Sequence, residues 1–132
     1  MLFGGIPGVI GLELQDVWEW DGGAARWIDR TPSQLPALWP DGRWGHGLAY
    51  SEARGRIVMF GGNRSANADT WEWDGATGLW QVYHDPSPLL PPSPPIWPSI
   101  REGSELAYDS SRGAVVLFGG RFLRDIWEWG RP

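Results

Sequence analysis

Apolar and polar positions along this chain fall into short blocks that strands explain and helices do not. Ile57-Val58-Met59-Phe60 is a continuous apolar run bounded by turn residues, the pattern of a strand covered on both faces. Trp71-Glu72-Trp73 alternates, putting two rings on one face and a carboxylate on the other. The same reading predicts four strands in the middle of the chain, over residues 45–50, 56–60, 69–73 and 79–83. Residues 51–55, 61–68 and 74–78 between them carry the Gly, Asp, Asn and Ser that turns require. No stretch has helical periodicity of useful length.

The pattern then recurs. Phe-Gly-Gly stands at 3–5, 60–62 and 118–120, each followed by Asp-x-Trp-Glu-Trp at 16–20, 69–73 and 125–129, a period of 53 to 58 residues. Further pairs line up across units: Arg43 with Arg101, Leu48-Ala49-Tyr50 with Leu106-Ala107-Tyr108, Trp39-Pro40 with Trp97-Pro98, and Trp27 with Trp80. Units of this length holding several short strands are the signature of a propeller-type array, in which each unit buries its apolar face against its neighbours. The glycine pairs Gly4-Gly5, Gly61-Gly62 and Gly119-Gly120 allow positive φ and close backbone approach after the second strand. Trp18 and Trp20, Trp71 and Trp73, and Trp127 and Trp129 share a strand face opposite Glu19, Glu72 and Glu128. Rings that each bury roughly 150–250 Å² suit packing between sheets. Trp44 alone has no counterpart and is left as an aromatic platform for a ligand.

These residues resemble the kelch repeat: four hydrophobic residues, a double glycine, then two aromatics separated by six positions. The middle unit reads residues 57–60, Gly61-Gly62, Trp73 and Trp80; the first shows Gly4, Gly5, Trp20 and Trp27; the last shows residues 115–118, Gly119, Gly120 and Trp129. Trp stands where many members have Tyr. The resemblance covers nearly the whole chain and implies an all-β fold, a kelch-type β-propeller segment of about three four-stranded antiparallel blades, two of them incomplete. Residues 1–30 would hold strands two to four of one blade, 31–42 a connection, 43–84 a complete blade, 85–99 a Pro-rich connection, and 100–132 strands one to three of a third. The expectation is a fragment of a longer polypeptide whose further blades complete the ring, or a protomer closing a homo-oligomeric ring. Bacterial kelch proteins with similar units are often parts of exported polypeptides, so the resemblance also implies an extracellular or cell-surface setting.

Charge and composition narrow the chemistry. A net charge of −5 argues against a nucleic-acid partner, and no run of about 18 apolar residues offers a membrane span. With no Cys there is no disulfide, thiolate metal site or cysteine nucleophile, and the Tyr–Cys copper chemistry of kelch-like oxidases is ruled out within these residues. No metal or cofactor is expected. His46 reads as a hydrogen-bonded structural histidine, and the only other histidine is His84. Asp16, Asp69 and Asp125, with Glu19, Glu72 and Glu128, recur once per unit, whereas a catalytic pair must be a single asymmetric constellation. The Asp residues are therefore expected to satisfy backbone donors in turns, and the Glu residues to pair with Arg43 and Arg101 or face solvent.

What varies between units is available for binding. The loops after the second strands supply Asn63, Arg64, Asn67, Arg121 and Arg124, and Trp44 joins them from the segment before a first strand. In the connection over 85–99, seven of fifteen residues are Pro, which favours a rigid inter-blade link over a docking segment. The expected function is a non-catalytic scaffold presenting propeller-face loops to a protein or glycan. The alternative is part of a sugar-handling enzyme resembling the sialic-acid epimerases, an isomerase or hydrolase whose catalytic groups lie elsewhere.

Overall fold

The computed structural model describes residues 1–8, 11–63, 68–83 and 96–130. Over them the chain is all-β, with no helix and three antiparallel sheets. The first sheet contains β1 (Leu2–Gly5), β2 (Leu14–Asp21) and β3 (Arg26–Asp29), in that spatial order. The second contains β4 (His46–Ser51), β5 (Arg56–Gly61), β6 (Thr70–Asp74) and β7 (Leu79–Tyr83), again in chain order. The third contains β8 (Glu105–Asp109), β9 (Ala114–Phe118) and β10 (Ile126–Trp129), with β9 central. None of the three closes on itself. The strands of the second sheet begin and end within one residue of the positions expected from the pattern.

Turn chemistry explains the hairpins. Asp74 Oδ1 accepts from the Ala76 amide at 2.9 Å, while the Gly78 amide donates to the Asp74 carbonyl at 2.8 Å with Gly78 at φ +69°. This local bonding reverses the chain between β6 and β7. Asp21 plays the same part between β2 and β3, accepting from the Gly23 and Ala24 amides at 3.0 Å each. There Ala25 takes the left-handed conformation, φ 50°, that glycine takes in the matching turn. The resulting registers set Trp20 opposite Trp27 and Trp73 opposite Trp80.

The second sheet lies between the other two, which is why β5 and β6 are buried on both faces, Glu72 included. Sheets meet through close backbone approach as well as rings. The Gly5 amide donates to the Arg43 carbonyl at 2.9 Å, and the Gly62 amide to that of Arg101 at 3.0 Å. Gly61, at φ +76°, makes that approach possible, because a Cβ there would lie 2.5 Å from the Arg101 carbonyl oxygen. On the first strands, a Cβ at Gly47 would meet Leu106 Cδ1 at 2.3 Å, so the glycine lets β4 and β8 come together. The Trp-Pro pairs anchor the connections: Trp39 Nε1 donates to the Gln15 carbonyl at 2.8 Å, and Trp97 Nε1 donates to the carbonyl of Ala68. Residues 85–95 of the Pro-rich connection lie outside the described residues.

Candidate functional site

The charged side chains that recur in the sequence turn inward on one another. Arg43 and Arg101, both essentially buried, reach the ends of β5 and β9. Arg43 Nη1 donates to the Gly61 carbonyl at 3.1 Å and to Asp69 Oδ1 at 3.0 Å; Arg101 Nη1 donates to the Gly119 carbonyl at 2.9 Å and to Asp125 Oδ1 at 2.5 Å. The Arg101 guanidinium, aided by the Trp127 indole, holds the Asp125 carboxyl well below the usual carboxylate range. The partners of Arg43 and Arg101 are thus the Asp residues, not the expected Glu residues. Distance along the strand is the reason: Glu72 lies three residues beyond Asp69, roughly 10 Å at 3.3 Å per residue. It is reached instead by Arg54 from the β4–β5 turn, at 2.6 Å.

Nor do the Asp carboxylates chiefly serve backbone donors. In each unit Oδ2 accepts from the indole two residues on: Asp16 from Trp18, Asp69 from Trp71 and Asp125 from Trp127, each at 2.6 Å. Residues i and i+2 share a strand face, so carboxylate and ring edge sit side by side. Two of the Glu residues, Glu19 and Glu72, bridge sheets. Trp73 Nε1 donates to Glu19 Oε1 at 3.3 Å and Trp129 Nε1 to Glu72 Oε1 at 2.8 Å, each linking one sheet to the preceding one. Each Glu is also held by an arginine of its own unit: Glu19 by Arg30, Glu72 by Arg54 and Glu128 by Arg112.

Of the residues expected to bind, the fold brings two together. The Asn63 amide donates to the Trp44 carbonyl at 3.0 Å, and Asn63 Oδ1 accepts from the Trp44 amide at 3.2 Å. Asn63 therefore ties two loops, and Trp44 is half-buried, with its Nε1 shielded and without a partner among the described residues. Arg64 and Asn67 lie outside the described residues, as does His84. Arg121 and Arg124 are exposed on the β9–β10 loop, the Arg121 amide donating to the Glu102 carbonyl at 3.2 Å.

Between those arginines stands a residue that the sequence reading missed. Phe122 is fully exposed, and both Arg121 and Phe122 take left-handed backbone, φ 46° and 67°. Such a conformation in a non-glycine aromatic stores strain that a tight loop imposes. The signal available in the sequence was an apolar pair, Phe122-Leu123, inside an arginine-flanked turn where polar residues are the rule.

His46 sits at the start of β4 with its ring edge-on to Phe3, centroids 5.6 Å apart. Burial, reinforced by the Arg43 charge, lowers its pKa to about 4. It is neutral at pH 7, and its Nδ1 has no partner among the described residues, so the expected hydrogen bond is not made there. Among the described residues no group of three or more His, Asp or Glu side chains is placed to hold a metal ion, and no helix is long and apolar enough to cross a membrane. No protein-family model matches the chain, and no curated protein matches it.

Proposed function

We propose that the three sheets are successive blades of a kelch-type β-propeller segment, and that the chain is a non-catalytic scaffold presenting loops to a protein or glycan partner. The observation that carries this reading is the β9–β10 loop, where Phe122 is held fully exposed beside Arg121 and Arg124. Aromatic and arginine side chains supply most binding hot spots, and a strained, fixed loop loses little entropy on docking. Support also comes from the buried charge. The pairs Arg43–Asp69 and Arg101–Asp125 occupy equivalent places in successive units, as architecture does and a single catalytic centre does not.

The test is to screen the chain against a glycan array and a displayed-peptide library, then repeat the hits with Phe122→Ala and with Arg121→Ala. Binding that falls at least tenfold in Phe122→Ala, at unchanged far-ultraviolet dichroism, is the expected result. No hits in either screen, or hits indifferent to both substitutions, would overturn it.

A further inference from the structure

The two ends of the strands differ in chemistry. At one end the turns over residues 22–25, 52–55, 75–78 and 110–113 contain only Gly, Ala, Ser, Thr, Glu and Arg. At the other end the loops and connections expose Ile6, Leu12, Leu38, Ile100, Phe122 and Leu123. Backbone bonds hold the bases of these segments together: the Arg43 amide donates to the Leu14 carbonyl at 3.2 Å, and the Arg121 amide to the Glu102 carbonyl at 3.2 Å. A neighbouring sheet does not remove the exposure. The β1–β2 loop has the second sheet beside it, and Leu12 there is still 63% exposed. Large apolar side chains gathered in the open at one end of a molecule mark a docking surface. Charge then divides that end in two. On the first-sheet side stand Asp41, exposed in the connection to β4, and Glu13, half-buried in the β1–β2 loop. On the third-sheet side Arg121 and Arg124 are exposed, with Glu102 half-buried beside them. Arg30, Arg43, Arg54, Arg56, Arg101 and Arg112 each meet a carboxylate of the chain. Among the described residues Arg121 and Arg124 meet none, and the Asp41 carboxylate meets no cation.

We propose that this end is a self-complementary interface on which a second copy of the chain docks about a two-fold axis. The axis sets the first-sheet side of one copy, with Leu12, Leu38 and Asp41, against the third-sheet side of the other, with Phe122, Arg121 and Arg124. It then repeats the same contact in reverse, as every isologous pair does. Charge selects this occupant. A second copy carries an acidic side and a basic side on one apolar face, so each copy supplies the sign that the other lacks. A surface of a single sign, such as an anionic membrane, would attract one side and repel the other. The contact uses loops and leaves the strand edges alone, which separates it from any closure of sheets into a ring. It goes beyond the loop-face reading by naming a second copy as an occupant, and it can fail without that reading failing.

The experiment is sedimentation velocity of the intact chain from micromolar to millimolar concentration. A shift from monomer to dimer that stops at the dimer is expected, and Leu12→Asp or Phe122→Asp should abolish it. The charge-reversed chain carrying Arg121→Glu and Arg124→Glu, and a second chain carrying Asp41→Arg, should each self-associate at least tenfold more weakly. Mixed in equal amounts they should regain the unaltered affinity, because the two-fold then sets Glu against Arg on one side and Asp against Arg on the other. Added salt should weaken all of these dimers. Where an altered chain loses its far-ultraviolet dichroism, hydrogen exchange of the unaltered chain decides. Raising its concentration should protect the amides of residues 11–13 and 121–124. A monomer throughout, a dimer indifferent to Leu12→Asp and Phe122→Asp, no recovery in the mixture, growth beyond the dimer, or protection confined to strand edges or the opposite turns would overturn the proposal. A monomer whose Phe122 still binds library peptides or glycans would overturn the second copy and keep the loop-face reading; a two-fold dimer without such hits would do the reverse.

Discussion

Two pairs of tryptophans occupy the same place in successive sheets and meet opposite fates. Trp20 and Trp27 face one another across β2 and β3 with centroids 5.5 Å apart, and Trp73 and Trp80 do so across β6 and β7 at 5.2 Å. Trp20 and Trp27 are 51% and 50% exposed, whereas Trp73 and Trp80 are 1% and 4% exposed. Strand sequence, register and pairing partner are shared, so none of them sets the burial. The adjoining sheet does: Phe3 and Glu19 of the first sheet cover the second pair, and nothing among the described residues covers the first. A packing role for all the repeated tryptophans, as the sequence suggests, holds only where a neighbouring sheet is present.

The largest test of this comparison truncates one ring from each pair. Trp80→Ala removes a ring wedged among four aromatics and should cost about 3–5 kcal/mol, the range for a large aromatic deleted from a packed core. Trp27→Ala, at an exposed position, should cost about 1 kcal/mol or less. Urea unfolding of the two variants measures the contrast, and equal losses would break the claim that the adjoining sheet decides.

Next in size is the buried charge. Asp69 pairs with Arg43, and Asp125 with Arg101, but the matching oxygen of Asp16, Oδ1, is buried without a partner among the described residues. Asp69→Ala strands a guanidinium that is 2% exposed, and should cost about 3 kcal/mol. The carbonyl oxygens of Gly61 and Asp41 still hold that guanidinium, which keeps the loss at the low end of the range for a broken buried pair. Among the described residues, Asp16→Ala loses the side-chain bond to the Trp18 indole and no ion pair, and should cost about 1 kcal/mol. Unfolding midpoints at pH 7 rank the two.

Repetition explains why so much of the fold was legible. Strand positions, the glycine pairs and the facing tryptophans recur, and each recurrence reports a local requirement of φ, pleat or register. The pairing of charges was not legible. Whether Arg43 meets Asp69 or Glu72 depends on where the end of β5 brings the guanidinium, a distance along a neighbouring strand that no one-dimensional spacing states. Phe122 was missed for a related reason, since apolar residues in a loop read as buried until the backbone turns them outward.

The comparison extends to pH through His46, whose counterpart in the third sheet is Ser104, a group that does not titrate. Burial lowers the His46 pKa to about 4, from an ordinary value of 6.5. The unfolded chain therefore takes up the proton first as pH falls. Stability is fully present above pH 6.5 and is lost as pH drops through the window down to about 4. Between pH 7 and pH 5 the loss should be about 2 kcal/mol from this residue. His46→Ser, which installs the residue of the third sheet, should remove that slope from urea midpoints measured across the window. An unchanged slope would assign the pH dependence to other groups.

The smallest expected effect separates ring packing from the hydrogen bond that crosses between sheets. Trp73 Nε1 donates to Glu19 over 3.3 Å, a long bond to a carboxylate whose side chain is 26% exposed and already engaged by Arg30. Solvent and the competing cation both weaken it, so its net contribution should be about 1 kcal/mol, below that of a short bond to a buried charge. Trp73→Phe alone would also lose ring area, and the cost of that void would mask the bond. A double-mutant cycle of Trp73→Phe with Glu19→Ala isolates the pairwise part, because the void left by the ring appears on both sides of the cycle and cancels. Trp20→Phe, at the matching exposed position, should change stability by less than about 0.5 kcal/mol. A coupling energy near zero for Trp73 and Glu19 would mean that the sheets are held by ring contact and backbone approach alone, with the repeated Glu serving only to fix the arginine of its own unit.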